Sequence, residues 1–254
     1  MGARSIGGVD RPSAVRMVRH WNGDLHAEHQ HLERDAGTES SPRTEAIVAW
    51  CASMLVVWGG SEANGERFDP TIGVWRPMAP APIAARARAS SATTSSDREL
   101  YVWGGTTTPD GNSGGRADGA AYSPETNSWR RLARSPLSAG ITSGVWTGRE
   151  VLYGPTRSGN ANGMFASTTA ATYDPSSDTW RRLDLSIGHP GFISGWDGER
   201  LLLFAKGGGI AVDARAGAYT DIPRDQPVPT DGAIVSTGTS VLLLGEGKLI
   251  EYTR

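Results

Sequence analysis

The sequence predicts an all-β propeller of four-stranded antiparallel blades, about five of them, over residues 43–254. Three observations predict it. The composition suits a turn-rich β chain, with 33 glycines, 15 prolines and nine tryptophans against four phenylalanines in 254 residues. One turn recurs as "FDPTIGVW" (68–75), "YSPETNSW" (122–129) and "YDPSSDTW" (173–180), with offsets of 54 and 51 residues. A worn fourth copy, "VDARAGAY" (212–219), keeps an apolar start and an aromatic end. In step with that turn, apolar strands closing on glycines recur as "MLVVWGG" (54–60) and "LYVWGG" (100–105). Weaker versions are "EVLYGP" (150–155), "RLLLFAKGG" (200–208) and "VLLLGEG" (241–247). Such a period is the length of one propeller blade.

The elements follow in order. Each unit reads as an apolar strand, a tight turn, a second apolar strand ending in glycine, and a Gly/Ser/Asn-rich loop. A third strand ending in an aromatic, an Asp-Pro turn and a Trp-led outer strand complete it. The runs are too short for helices, and glycine interrupts the longer ones. Blade I spans 43–80, blade II 86–134, blade III 138–184, blade IV 190–223 and blade V 231–254. In "WTGRE" (146–150) and "WDGER" (196–200), Thr-Gly and Asp-Gly predict two-residue hairpins between the first two strands. Proline two after the aromatic fixes φ at the second turn position, and the residue before it accepts turn N–H groups. Blade V ends at "LIEY", its third strand, and lacks a Trp-led fourth. "RMVRHW" (16–21) or "HLERD" (31–35), in the polar leader 1–42, is a candidate to supply it and close the ring. The alternative is a partial propeller that has lost blades.

These residues resemble kelch repeats, in which a glycine doublet follows an apolar strand and six residues stand between a Tyr and a Trp. Gly59-Gly60 and Gly104-Gly105 match the doublet, and three aromatic/Trp pairs match, one with Phe68 in place of Tyr. Gly154-Pro155 stands in for a doublet in blade III. The resemblance covers about 43–223 well and 224–254 loosely. It implies a kelch-like propeller of bacterial type within the galactose-oxidase-like superfamily. A sialidase Asp-box fits less well, because six residues rather than five separate Asp174 from Trp180, and Ser176 fills the glycine position.

Bulk properties bound the function. A net charge of -2 gives no strong attraction to nucleic acid or to an anionic membrane. Cys51 is the only cysteine, so neither an internal disulfide nor a thiolate metal cluster forms, and a buried structural thiol is expected. No apolar run reaches the ~20 residues of a spanning helix, and the start lacks the apolar core of a secretory signal. The expected compartment is cytoplasmic by default, or secreted if the N-terminus is incomplete, and the expected state is a monomer.

The site candidates come from comparing units. Counting seven back from Trp50, and from its counterpart in each unit, gives Arg43, Arg88, Ala139, His189 and Pro229. In kelch propellers such positions look into the mouth of the central channel. The resemblance therefore implies a basic mouth of Arg43, Arg88 and His189, suited to a carboxylate, phosphate or acidic peptide. The competing reading is that these arginines satisfy blade-end carbonyls. The loops 106–119 and 156–168 occupy corresponding places and are polar and flexible in composition. The leader histidines His20, His26, His29 and His31 show no zinc spacing. Copper-oxidase chemistry lacks its histidine pair, since only His189 lies within the repeats. "GGG" (207–209) has no following Lys-Ser/Thr and is no phosphate loop. The reading is a non-catalytic module binding a protein, peptide or carbohydrate, with no metal or cofactor. The alternative is a sugar-acid-active enzyme of the kelch-like epimerase type, which would need an acid/base pair on the first strands.

Overall fold

The computed structural model describes residues 43–62, 64–87, 93–95, 98–108, 114–160, 163–185, 193–205, 208–213, 215–216, 218–222, 233–237, 240–245 and 248–253. They form a five-bladed β-propeller within the compact unit Thr38–Arg254. Blade I is β1 (Ile47–Cys51), β2 (Met54–Trp58), β3 (Gly65–Asp69) and β4 (Val74–Pro77). Blade II is β5 (Thr93–Ser95), β6 (Leu100–Trp103), β7 (Gly119–Ser123) and β8 (Ser128–Arg131). Blade III comprises β9 (Gly144–Trp146), β10 (Val151–Tyr153), β13 (Thr169–Asp174) and β14 (Thr179–Asp184), with a hairpin of β11 (Arg157–Asn160) and β12 (Gly163–Ala166) between its second and third strands. Blade IV is β15 (Ile193–Trp196), β16 (Arg200–Ala205), β17 (Gly208–Asp213) and β18 (Ala218–Ile222). Blade V has three strands, β19 (Ala233–Ser236), β20 (Ser240–Gly245) and β21 (Lys248–Thr253). The candidate closing segments 16–21 and 31–35 lie outside the described residues.

Strand alternation gives each blade two apolar faces. Ile47, Val56 and Trp58 of blade I meet Leu100, Val102 and Tyr122 of blade II. Tyr101 and Trp103 of blade II then meet Val151, Tyr153 and Tyr173 of blade III. Leu-rich β16 fills the contact between blades III and IV, and Phe204, Val241 and Leu243 fill that between IV and V. Cys51 is a buried thiol in the first of these layers, in no disulfide.

The register explains the repeat. Tyr122 pairs with Trp129, Tyr173 with Trp180, Phe68 with Trp75 and Val212 with Tyr219, so the worn fourth copy keeps its place. Aligned on those pairs, Trp58, Trp103, Gly154, Phe204 and Leu244 occupy one position on successive second strands. Gly154 therefore stands where the other blades have a large apolar residue, and Gly154-Pro155 is not the counterpart of the doublets. Gly59, Gly60, Gly104 and Gly105 all have positive φ, and Gly154 does not. The leucines of blade IV take up the volume: a Cβ on Gly154 would lie 3.5 Å from Leu203 Cδ2 and 3.7 Å from Leu201 Cδ2.

The repeated turn also carries polar atoms that hold one blade to the one before. Asn127 and Asp178 sit five residues after the tyrosine with φ of 50° and 52°, a region short polar side chains tolerate. Tyr122 donates its hydroxyl to Asn127 Oδ1 and Tyr173 donates to Asp178 Oδ1, each at 2.7 Å. The same oxygens accept the N–H of Ala79 and of Ala133 in the preceding blade at 2.9 Å. Trp129 Nε1 and Trp180 Nε1 donate to the carbonyls of those alanines, also at 2.9 Å. Each clamp thus satisfies both polar groups of one backbone residue at a blade end. Blade I carries Phe68 and Gly73 at the corresponding places, which have no polar side-chain atom.

Two connections differ from expectation only in register. Thr147 N donates to Glu150 O at 2.9 Å and Asp197 N to Arg200 O at 3.3 Å, so the two residues at the tips are Gly148–Arg149 and Gly198–Glu199, one on from Thr-Gly and Asp-Gly. The reason is side-chain closure of the loop. Thr147 Oγ1 accepts the Glu150 N–H at 3.1 Å, and Asp197 Oδ1 accepts those of Glu199 and Arg200 at 3.0 and 2.7 Å. Blade I also has a two-residue turn, in which Ala52 and Ser53 have φ of 48° and 65°.

A charged network crosses from blade II to blade III. Arg130 donates to both oxygens of Glu99 at 3.1 and 2.8 Å and to Tyr173 OH at 2.7 Å. Burial opposes ionisation of Glu99, but Arg130 and the Tyr101 hydroxyl outweigh it, and its pKa lies below the ordinary value. Burial pushes the Tyr173 phenol up to about 12.

Asp178→Ala removes the acceptor of two hydrogen bonds and is expected to cost about 2 kcal/mol in urea unfolding, with Tyr173→Phe costing about half as much. The pH dependence follows from linkage. Glu99, lower in the folded state, contributes stability above the ordinary carboxylate pKa and loses it as pH falls through the folded value. Acid melting curves of Glu99→Gln should therefore drop less steeply below about pH 4.5 than those of the parent. Tyr173, raised in the folded state, gives the opposite limb: stability falls from about pH 10 and is lost as pH passes the folded value.

Candidate functional site

In an antiparallel meander the loop between strands two and three lies at the same end as the approach to strand one. Backbone bonds bring these ends of neighbouring blades together. Gly60 N donates to Arg86 O at 3.0 Å, and Gly105 N donates to Gly140 O at 2.9 Å. Within blade II Ala87 and Thr106 exchange bonds of 2.9 and 3.0 Å, and within blade III Ile141 and Arg157 exchange two of 2.7 Å. The doublets are thus part of the lacing between blades. A Cβ on Gly60 would sit 2.3 Å from Thr44 O, and one on Gly104 would sit 2.6 Å from Gly140 O, so both positions need glycine.

Arginines close this face. Arg43 donates to Asn64 O at 2.7 Å and Asn64 Oδ1 at 2.5 Å, with a longer contact of 3.5 Å to Gly59 O. Arg86 repeats the pattern one blade on. It donates to Gly104 O at 3.1 Å and Asp118 O at 3.0 Å, and pairs with Asp118 Oδ1 at 2.9 Å. Its Nε adds Ala84 O at 3.0 Å. The Arg86 side chain is 0% exposed and that of Asp118 is 43% exposed, so a buried cation carries a solvent-facing carboxylate. Burial lowers the Arg86 pKa, and Asp118 opposes that shift. Arg116 joins the same lacing: its N–H donates to Gly105 O at 2.9 Å and its carbonyl accepts from Gly140 N at 3.0 Å. Arg86 Nη2 and Arg116 Nε are buried and have no hydrogen-bond partner among the described residues.

Of the residues singled out from the sequence, Arg43 lies on this face and bonds to blade-end carbonyls, while Arg88 and His189 lie outside the described residues. The structural counterpart of Arg43 is Arg86, which unit counting passes over. Arg43 stands 16 residues before its doublet carbonyl and Arg86 stands 18 before its own. No spacing rule finds the second from the first, because the two extra residues fall between Arg86 and β5. The 106–119 and 156–168 loops do reach this face, as expected. The second is built around the β11–β12 hairpin rather than being wholly irregular.

No protein-family model and no curated protein matches the chain. Among solved structures, that of YjhT is similar, with a TM-score of 0.59 and 17% sequence identity over 80% of this chain and 72% of that chain. The shared feature is the β-propeller.

Among the described residues the face offers backbone amides and carbonyls together with the Arg86–Asp118 pair. Arg43 and Arg86 are bonded to backbone carbonyls, and Arg86 is also paired with Asp118, which fixes their geometry. Among the described residues no group of three or more His, Cys, Asp or Glu side chains is placed to hold a metal ion. Nor is any helix among them long and apolar enough to cross a membrane. Replacing Arg86 by Met removes several bonds to blade ends and should cost about 2 kcal/mol in chemical denaturation, whereas Arg116→Met should cost less than half of that.

Proposed function

We propose that this chain is a kelch-type binding propeller that engages a carbohydrate or a peptide through the face carrying the glycine doublets. One observation carries the reading: the long connections 104–118 and 154–168 both leave blades II and III on that face. The other loops of those blades are short, such as 124–127 and 175–178. Long loops on one side of a rigid scaffold are where such folds place recognition. Asp118, exposed beside buried Arg86, and the neighbouring backbone amides suit a ligand that both donates and accepts hydrogen bonds. Hydroxyl-rich sugars and polar peptide segments have that character. The kelch assignment itself is supported by the doublets and by the Tyr/Trp pairs at their registers.

A thermal-shift screen against neutral sugars, sugar acids and acidic peptides tests the proposal. A stabilising ligand is expected, with at least about a tenfold loss of affinity when the hairpin 157–166 is replaced by a short Gly-Ser linker or when Asp118→Ala is introduced. Hits that bind both variants as tightly as the parent would place recognition elsewhere. Proton NMR on any sugar-acid hit separates the alternative: isomerisation of the sugar under catalytic amounts of protein would establish an enzyme instead.

A further inference from the structure

Blades I and II enter their third strands in the same way. Gly65 opens β3 opposite Trp58, and Gly119 opens β7 opposite Trp103. Packing fixes both glycines. A Cβ on Gly65 would lie 2.5 Å from Met78 Sδ and 2.8 Å from Trp58 Cδ1. One on Gly119 would lie 2.6 Å from Val102 O and 2.8 Å from Trp103 Cδ1. The residue before each glycine meets an arginine twice. Arg86 donates to the main-chain carbonyl of Asp118 at 3.0 Å and pairs with its Oδ1 at 2.9 Å. Arg43 donates to the main-chain carbonyl of Asn64 at 2.7 Å and to its Oδ1 at 2.5 Å. The two sites differ in one group: blade II has a carboxylate where blade I has an amide.

Asparagine before glycine is chemically labile. The next main-chain nitrogen closes a five-membered ring on the side-chain carbon, and glycine has no side chain to hinder the approach. Asn64 is exposed, so water reaches it. Asn127 is the contrasting case. It precedes Ser128, and its Oδ1 is held by the Tyr122 hydroxyl and the Ala79 N–H at 2.7 and 2.9 Å.

We propose that Asn64-Gly65 is a deamidation site, and that the aspartate formed at position 64 completes on blade I the arginine–carboxylate pair that blade II already carries. The Gly65 nitrogen attacks Asn64 Cγ, its proton leaves with the amide nitrogen as ammonia, and a cyclic imide remains. Water then opens the imide at the Cγ carbonyl, giving a carboxylate and a proton that the ammonia takes up. An amide and a water thus become a carboxylate and an ammonium ion, with no oxidant or cofactor. Opening at the main-chain carbonyl gives isoaspartate instead, with an extra methylene in the backbone where Gly65 has no room to shift. That route also gives up the bonds from Arg43 and from the Gly59 N–H, at 2.7 and 3.2 Å, to the main-chain carbonyl. The fold therefore directs the ring towards ordinary aspartate. Arg43 then holds a carboxylate with the donors that held the amide, and the charge strengthens the contact. The conversion adds a negative charge to the glycine-doublet face, one blade from Asp118, whatever that face binds.

The test is ageing of the purified full chain at mildly alkaline pH, followed by peptide mapping with mass spectrometry. Asn64 should convert at least about tenfold faster than Asn127. Asn22 and Asn162, which also precede glycine, lie outside the described residues and are mapped separately. Isoaspartate, read with an isoaspartyl methyltransferase, should be a smaller share of the product at position 64 in the folded chain than in a chain aged in urea. The pairing is read on variants whose fold is checked by circular dichroism. Arg43→Met should lower the melting temperature of the Asn64→Asp chain by about 2 °C more than it lowers that of the parent. Conversion of Asn64 as slow as that of Asn127 overturns the proposal. So does an isoaspartate share as large in the folded chain as in urea, or an equal effect of Arg43→Met in the two chains.

Discussion

The contact on which the arrangement of blades I to III depends is the pair of bonds to one alanine at the end of the preceding blade. Ala79 and Ala133 each lie where an outer strand has ended and a sheet can no longer satisfy their backbone. A buried N–H or carbonyl left without a partner costs more than the bond itself contributes. Asn127 with Trp129, and Asp178 with Trp180, meet both needs at once and are themselves fixed by a tyrosine hydroxyl. Apolar packing alone is non-directional and leaves neighbouring sheets free to slide. These bonds set the offset between blades, and the glycine lacing at the other loops then forms in register.

This explains which parts of the fold were legible in the sequence. The Tyr, Pro and Trp of the turn recur because each has a structural duty, and those duties fix spacing to the residue. The same reasoning reaches the worn copy, where Val212 and Tyr219 keep the cross-strand pair though the polar clamp is gone. It fails at Gly154, because a glycine after an apolar strand reads as a doublet when only the strand pairing reveals its register. The exchange of a tryptophan for leucines of the next blade is a long-range compensation in volume. No local pattern records it.

The candidate face was legible in outline and obscure in detail. The long polar loops announced themselves by composition, since such segments cannot fill a core. Arg43 was found because it stands at a regular distance from a strand. Arg86 makes equivalent bonds from a connection two residues longer, and guanidinium reach absorbs the difference. A flexible side chain with several donors can meet the same carbonyls from more than one backbone position. Sequence distance is then a poor guide, even when the chemistry is the same.

The chain also divides by how its blades are held. Between blades I and II and between II and III, clamps and aromatic pairs such as Tyr173–Trp180, with centroids 5.0 Å apart, add direction to the packing. From blade III onward the contacts are chiefly aliphatic, with Leu201, Leu203 and Val212 in one layer and Val241 and Leu243 in the next. The two long connections leave blades II and III, the pair joined by a clamp and by the Glu99–Arg130–Tyr173 network. Loops that recognise a ligand lose less entropy on binding when their anchors are already fixed. The clamps sit at the turns between third and fourth strands, at the opposite ends of these blades from the long connections, and act on those connections only through the sheets they hold.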